Sequence, residues 1–247
     1  MRLRRILAPL IVTACGLLLW QGLILLTGLP PFLLPGPAAV AEALLVHRDV
    51  LARASLRTLT EILAGFALGA GTGAVLAVLM AGFPRVASAL RPVLLLSQVI
   101  PIFALAPILT LWLGYGMAPK IVVAALICFF PVASAFFDGL MRTSPACLDL
   151  ARTMGANGWR EMWHLRIPMA LPMLGSGLTL AAVYAPIGAV IGEWVGGSEG
   201  LGAVMIHANG RMRIDLSFAA LALVTLIALA FHALVSRLVR RGFARFS

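Results

Sequence analysis

The sequence predicts an all-α integral membrane protein of six transmembrane helices, and three observations carry that reading. Hydrophobic residues make up 62% of the 247-residue chain and charged residues 11%, too little polar surface for a soluble domain of this length. Six stretches reach the roughly 20 largely apolar residues that a bilayer-crossing helix needs. The 19 Lys and Arg, source of a formal net charge of +10, cluster at the ends of those stretches. That placement is typical of membrane orientation signals, and it excludes nucleic acid as a partner and leaves membrane lipid. The whole chain, 1–247, reads as one transmembrane domain.

The first stretch, 6–29, follows Arg2, Arg4 and Arg5 and contains Val12-Thr13-Ala14-Cys15, which looks like a lipoprotein cleavage box. The apolar run continues through residues 17–19 and 23–26, longer than a signal-peptide core, so a membrane span is expected. Pro30-Pro31 and Pro35-Gly36-Pro37 then break the chain. Residues 38–57 show helical spacing, with Val40, Leu44, Leu45, Leu51 and Leu56 opposite Glu42, His47, Arg48, Asp49 and Arg53. This is expected to be a surface-lying helix, either a docking surface or a lead-in to the second stretch.

That second stretch, 59–82, carries Gly65, Gly69 and Gly73, a small-xxx-small face for close helix contact in a bundle or a dimer. The third and fourth, 90–113 and 121–140, contain Pro101, Pro107 and Pro131, where kinks are expected. The fifth and sixth, 169–191 and 216–238, are long apolar runs. Glu61, Lys120, Asp138, Glu193 and Asp215 all fall near the ends of these stretches, so none demands a proton relay. Asp215 is expected to cap a helix. Glu193 is expected either to pair with an arginine or, with Pro101 and Pro107, to belong to the pathway or gate.

Orientation follows from the basic residues. With the N-terminus inside, the outer segments hold Arg48, Arg53, Arg57, Lys120, Arg211 and Arg213, and all the other Lys and Arg fall inside. Both termini and the loop at 142–168 are then cytoplasmic. Trp112, Tyr115 and Trp194 form an outer aromatic belt, which Trp159 and Trp163 do not fit.

The chain lacks the residues for chemistry of its own. Cys15, Cys128 and Cys147 have no metal-ligand spacing, and the four histidines are scattered. There is no nucleophile elbow, no zinc-protease motif and no phosphate-binding loop, since the lone lysine, Lys120, lies between Pro119 and Ile121. No cofactor and no catalytic residue are expected, and any ATP must be bound by another chain. A standalone secondary transporter or channel would show mid-membrane charges or an internal repeat, and neither is present.

The segment 149–168 stands out. Leu148, Ala151 and Met154 recur at helical spacing, Gly155 is suited to a positive φ that ends the helix, and Asn157 is suited to N-cap a second one. Trp159, Met162 and Trp163 share a face in that second helix, and Pro168 opens the fifth span. The product is two short helices bent at a glycine, presenting an aromatic knob either to the membrane surface or to a groove in a soluble partner.

Here the chain resembles the permease subunits of bacterial binding-protein-dependent ABC importers, whose cytoplasmic signature has the form E-A-A-x3-G-x9-I-x-L-P. Asp149-Leu150-Ala151, Gly155 and Leu165-Arg166-Ile167-Pro168 keep that spacing, with identity at Ala151, Gly155 and Pro168 and a clear departure at Leu150. Ile100-Pro101, Ala104-Leu105-Ala106-Pro107, Phe129-Phe130-Pro131, Asp138-Gly139-Leu140 and Gly192-Glu193 through Gly200-Leu201-Gly202 are similar to the nitrate, sulfonate and taurine subgroup. His207-Ala208-Asn209-Gly210-Arg211, followed by Asp215, looks like permeases for thiamine pyrimidine precursors. The resemblance implies a type I importer permease fold in the bacterial inner membrane. It also implies three protein partners: a second permease copy, a cytoplasmic ATP-binding subunit and an external solute-binding protein. For the knob it implies an ATPase-docking role, with Trp159, Met162 and Trp163 as anchors, Gly155 as the bend, and Asp149 or Arg152 as rim contacts.

Overall fold

A computed structural model describes residues 2–243. Arg245 lies outside the described residues, as do the side chains of Arg2, Arg4 and Arg5. Every regular element among the described residues is helical. Helix α1 (Arg2–Thr27) leads through the proline-broken segment to α2 (Pro37–Val46), and α3 (Arg48–Gly82) follows after a break at His47. The expected surface helix at 38–57 is therefore two pieces. Its second half is the opening of α3, which at 35 residues and about 1.5 Å per residue is longer than a bilayer is thick.

Helices α4 (Pro84–Val99) and α5 (Ile102–Leu113) replace the expected third span with a pair bent by 100°. The break falls where Pro101 pushes Ile100 into extended backbone, at φ −69° and ψ 118°. Pro107 and Pro131, by contrast, lie inside continuous helices, Pro131 in α6 (Met117–Met141). After α7 (Pro145–Thr153) and α8 (Gly158–Glu161), one π-helical turn at Met162–Arg166 runs into α9 (Ile167–Gly196). The short α10 (Leu201–Gly210) and the long α11 (Ile214–Phe243) complete the chain. Asp215 is in the first turn of α11, ion-paired to Arg213 at 3.5 Å, and does not cap it.

By length and composition, four helical runs among the described residues can cross a membrane unaided: α3, α6, the run from α8 through α9, and α11. The bent pair makes a fifth if counted as one span. The described apolar part of α1, Ile11–Thr27, is shorter than that measure. The six expected spans thus differ in kind, because the third is bent through 100° at Pro101.

The core is a close-packed body of α3, α6 and α9. Gly65, Gly69 and Gly73 all face α6, so the glycine stripe serves the bundle; a Cβ at Gly73 would lie 2.7 Å from the Phe129 carbonyl oxygen. Buried Ala124, Cys128 and Val132 of α6 and Ala181, Ala185 and Ala189 of α9 continue that contact. Lipid is as apolar as these side chains, so close van der Waals packing rather than hydrophobic transfer holds the three helices together.

Candidate functional site

Two groups of side chains stand apart from this apolar body, at opposite ends of its helices. The first is the knob between α6 and α9. Helix α7 ends in a Schellman closure: Gly155 N–H donates to the Arg152 carbonyl and Ala156 N–H to the Ala151 carbonyl, both at 2.9 Å. This closure requires the φ of +83° that Gly155 adopts. Asn157 Oδ1 then accepts from Arg160 N at 2.9 Å, the N-cap that starts α8.

The bend is braced by ion pairs. Arg152 Nε donates to Glu161 Oε1 at 2.9 Å and Nη2 to Oε2 at 3.4 Å, while Nη1 reaches Asp149 Oδ1 at 3.3 Å. The Glu161 hydrogen bond and charge, with a smaller contribution from Asp149, raise the Arg152 pKa above its ordinary value. Arg152 thus bridges the two short helices, whereas Asp149 is left exposed at the rim. Glu161 was not among the expected site residues. It lies nine positions from Arg152, a spacing no single helix brings together, and only the Gly155 turn folds the two into contact.

The expected anchors divide. Trp159 is 70% exposed and Trp163 48%, their rings 5.5 Å apart. Met162 is buried among Ala77, Met80, Leu94, Phe137 and Ala170, at the ends of α3, α4, α6 and α9. At 100° per residue Met162 and Trp163 fall on opposite sides of Trp159, and the helix packs its Met162 edge inward. Met162 is therefore a root of the knob and not part of its exposed apolar surface. Leu150 and Met154, not among the expected docking residues, are 62% and 80% exposed on α7 and extend that surface. Ala151 and Pro168 are half-buried.

The second group lies at the far end. Glu61 of α3, Lys120 of α6 and Glu193 of α9 converge in one buried cluster with Thr58. Lys120 Nζ pairs with Glu61 Oε1 at 3.0 Å and donates to the Glu199 carbonyl at 2.8 Å. Thr58 Oγ1 donates to Glu193 Oε1 at 2.6 Å, and Gly202 N–H donates to Glu193 Oε2. Glu193 therefore takes Thr58 and a backbone amide, not the expected arginine, as its partners.

The three expected pathway residues do not form one site. Pro101 and Pro107 are exposed on the bent pair, while Glu193 is sealed in the polar cluster. An apolar recess of about 480 Å³ opens between α5, α9 and α11, with Phe103, Pro186, Trp194 and His232 in its wall. Among the described residues no group of three His, Cys, Asp or Glu is arranged to hold a metal ion.

Comparison with known proteins adds to this geometry. Residues 69–244 match the family described as binding-protein-dependent transport system inner membrane component. A probable ABC transporter permease protein of Haemophilus influenzae is 45% identical over 96% of this chain and 97% of its own length. The riboflavin transport system permease protein RibX of Chloroflexus aurantiacus is 37% identical, covering 91% of this chain and 84% of that one. The formylaminopyrimidine transport permease protein ThiX of Halalkalibacterium halodurans is 40% identical, covering 70% of this chain and 69% of that one. In fold the chain is similar to an inward-facing structure of the MetNI methionine ABC transporter. The TM-score is 0.68 at 19% identity, with 79% of this chain and 97% of that one covered.

Proposed function

Because the chain belongs to the family of binding-protein-dependent transport system inner membrane components, and is thus a non-catalytic ABC importer permease subunit, we propose that its 149–168 knob docks into a cleft of a separate cytoplasmic ATPase. The braced, aromatic shape of the knob carries this reading. Four large apolar side chains, Leu150, Met154, Trp159 and Trp163, are exposed on a segment that the Gly155 turn and the Arg152–Glu161 pair hold in one shape. A rigid contact transmits displacement, and exposed apolar surface of this kind favours a groove in a partner.

In this reading two permease copies line the pathway in the bacterial inner membrane, with the knob end cytoplasmic and the far end facing an external solute-binding protein. ATP-driven closure of the ATPase pair rocks the helices between inward- and outward-open states. The solute is a small heterocycle of the pyrimidine-precursor class. ThiX and RibX, named for heterocyclic solutes, are 40% and 37% identical to this chain, whereas the sulfonate permease relative SsuC of Bacillus subtilis is 28% identical. A sulfonate- or nitrate-like solute is the second reading, on the subgroup resemblance.

The test places a single cysteine at position 153, exposed on α7 just before the turn, in a chain freed of Cys15, Cys128 and Cys147, co-expressed with the ATPase. A crosslinked adduct and ATP-dependent uptake are expected. No adduct, together with uptake indifferent to ATP, would leave a standalone transporter or channel as the better account.

A further inference from the structure

Four carboxyl oxygens meet at the far end of the α3–α6–α9 body, and their donors can be counted one by one. Glu61 Oε1 accepts from Lys120 Nζ at 3.0 Å. Glu193 Oε1 accepts from Thr58 Oγ1 at 2.6 Å, and Glu193 Oε2 from the Gly202 amide. The fourth, Glu61 Oε2, is buried and has no donor among the described residues. Yet the two carboxyl groups lie within hydrogen-bonding reach of each other. Two ionised carboxylates have no hydrogen to share, so as a pair of anions they would only repel.

The charge balance leads to the same place. Both glutamates are fully buried and Lys120 is 3% exposed. With both carboxyls ionised, a single ammonium would leave one uncompensated negative charge sealed inside the protein, which is costly. The surrounding elements supply no second counter-charge. On the exposed side, Arg57 of α3 is paired with the Glu199 carboxylate at 3.1 Å, and His207 of α10 lines an outer recess beside them. Helix α5 contains no ionisable residue, and Asp215 of α11 is taken by Arg213. What α10 offers is backbone. Leu201 N–H donates to Thr58 Oγ1 at 2.9 Å and Gly202 N–H to Glu193, so side chains of α3 and α9 cap its start.

We propose that Glu61 and Glu193 hold one proton between them at neutral pH, as a carboxylic acid–carboxylate pair whose remaining negative charge is balanced by Lys120. The proton gives Glu61 Oε2 a hydrogen to donate to Glu193, and every carboxyl oxygen of the cluster then takes part in a hydrogen bond. Because like charges this close do not both ionise readily, the proton belongs to the pair and not to either residue alone. It links α3 to α9 directly, beside the start of α10. With both carboxyls sealed from solvent, it is a resident proton of the fold and not a step in a relay.

The experiment records infrared spectra of the purified full chain at neutral pH, well above the ordinary carboxylate range of about 4, after growth with glutamate carrying carbon-13 in its side-chain carboxyl. A protonated carboxyl has a C=O stretch well above the carboxylate bands, and the label shifts it only if it belongs to a glutamate. Wild type is expected to show one such band, equivalent to one carboxyl per chain. Glu61→Gln and Glu193→Gln are each expected to abolish it, since either leaves a single carboxylate for Lys120 to balance. A band absent from wild type, or one that survives in either glutamine variant, overturns the shared proton. Should a glutamine variant not be recovered as monodisperse protein, Glu161→Gln takes its place, because Glu161 is the only other buried glutamate among the described residues. The band at full strength in Glu161→Gln then supports the pair, and its loss overturns it.

Discussion

Gly155 and Glu161 show how much a single side chain, or its absence, decides in the knob. Nothing lies within 4 Å of a Cβ built on Gly155, so space is no obstacle there and the φ of +83° is the whole constraint. Gly155→Ala is expected to cost about 1–2 kcal/mol of local strain, and Gly155→Asn less, because asparagine tolerates left-handed backbone. The ratio of ATP hydrolysed to solute imported should therefore rise in the order glycine, asparagine, alanine. The Arg152–Glu161 pair carries a second prediction. Arg152→Glu leaves the buried Glu161 carboxylate facing a like charge and should uncouple the two activities; adding Glu161→Arg should restore part of the coupling. If the double variant is no better than the single one, the pair is not the brace. Gly155 and Asn157 were legible in the sequence because turn and cap chemistry is decided within a few residues. The Arg152–Glu161 pair was not, since it depends on where the turn sends the chain.

At the scale of elements, the knob is one half surface and one half root. Trp159 and Trp163 face outward, while Met162 is inserted between the ends of α3, α4, α6 and α9. Their substitutions should separate cleanly. Trp159→Ala is expected to leave thermal stability in detergent unchanged and to reduce ATP-coupled uptake. Met162→Ala opens a cavity in a packed cluster and is expected to lower stability by about 2–5 kcal/mol. Equal stability losses in the two variants would contradict this division. The sequence showed three apolar residues at helical spacing; which edge of that stripe turned inward was set by neighbours up to 85 positions away. The bent pair α4–α5 tells a similar story. Three prolines were equally visible as possible kinks, yet only Pro101 marks a break, whereas Pro107 and Pro131 are absorbed within helices.

For the whole molecule, the central contrast is between a tight body and the parts attached to it. Helices α3, α6 and α9 approach closely along small residues, and a Cβ at Gly69 would lie 2.8 Å from the Cys128 Cβ. Gly69→Val is therefore expected to prise α3 from α6 and abolish recovery of monodisperse protein, while Gly71→Val, on an open face, should be tolerated. Equal yields of the two variants would show that this contact does not hold the body together. The sequence by itself determined the membrane class, the helical stretches, the glycine stripe and the bend of the knob, because composition, periodicity and local backbone preference are written within a turn or two of the residues concerned. Only the tertiary structure decided that Thr58, 135 positions from Glu193, would bond to it. The same holds for the meeting of Lys120 with Glu61, the capping of α10 from elsewhere, and the inward turn of Met162. Those outcomes depend on the rotation and register of one helix against another, which are fixed by the packing of all of them at once.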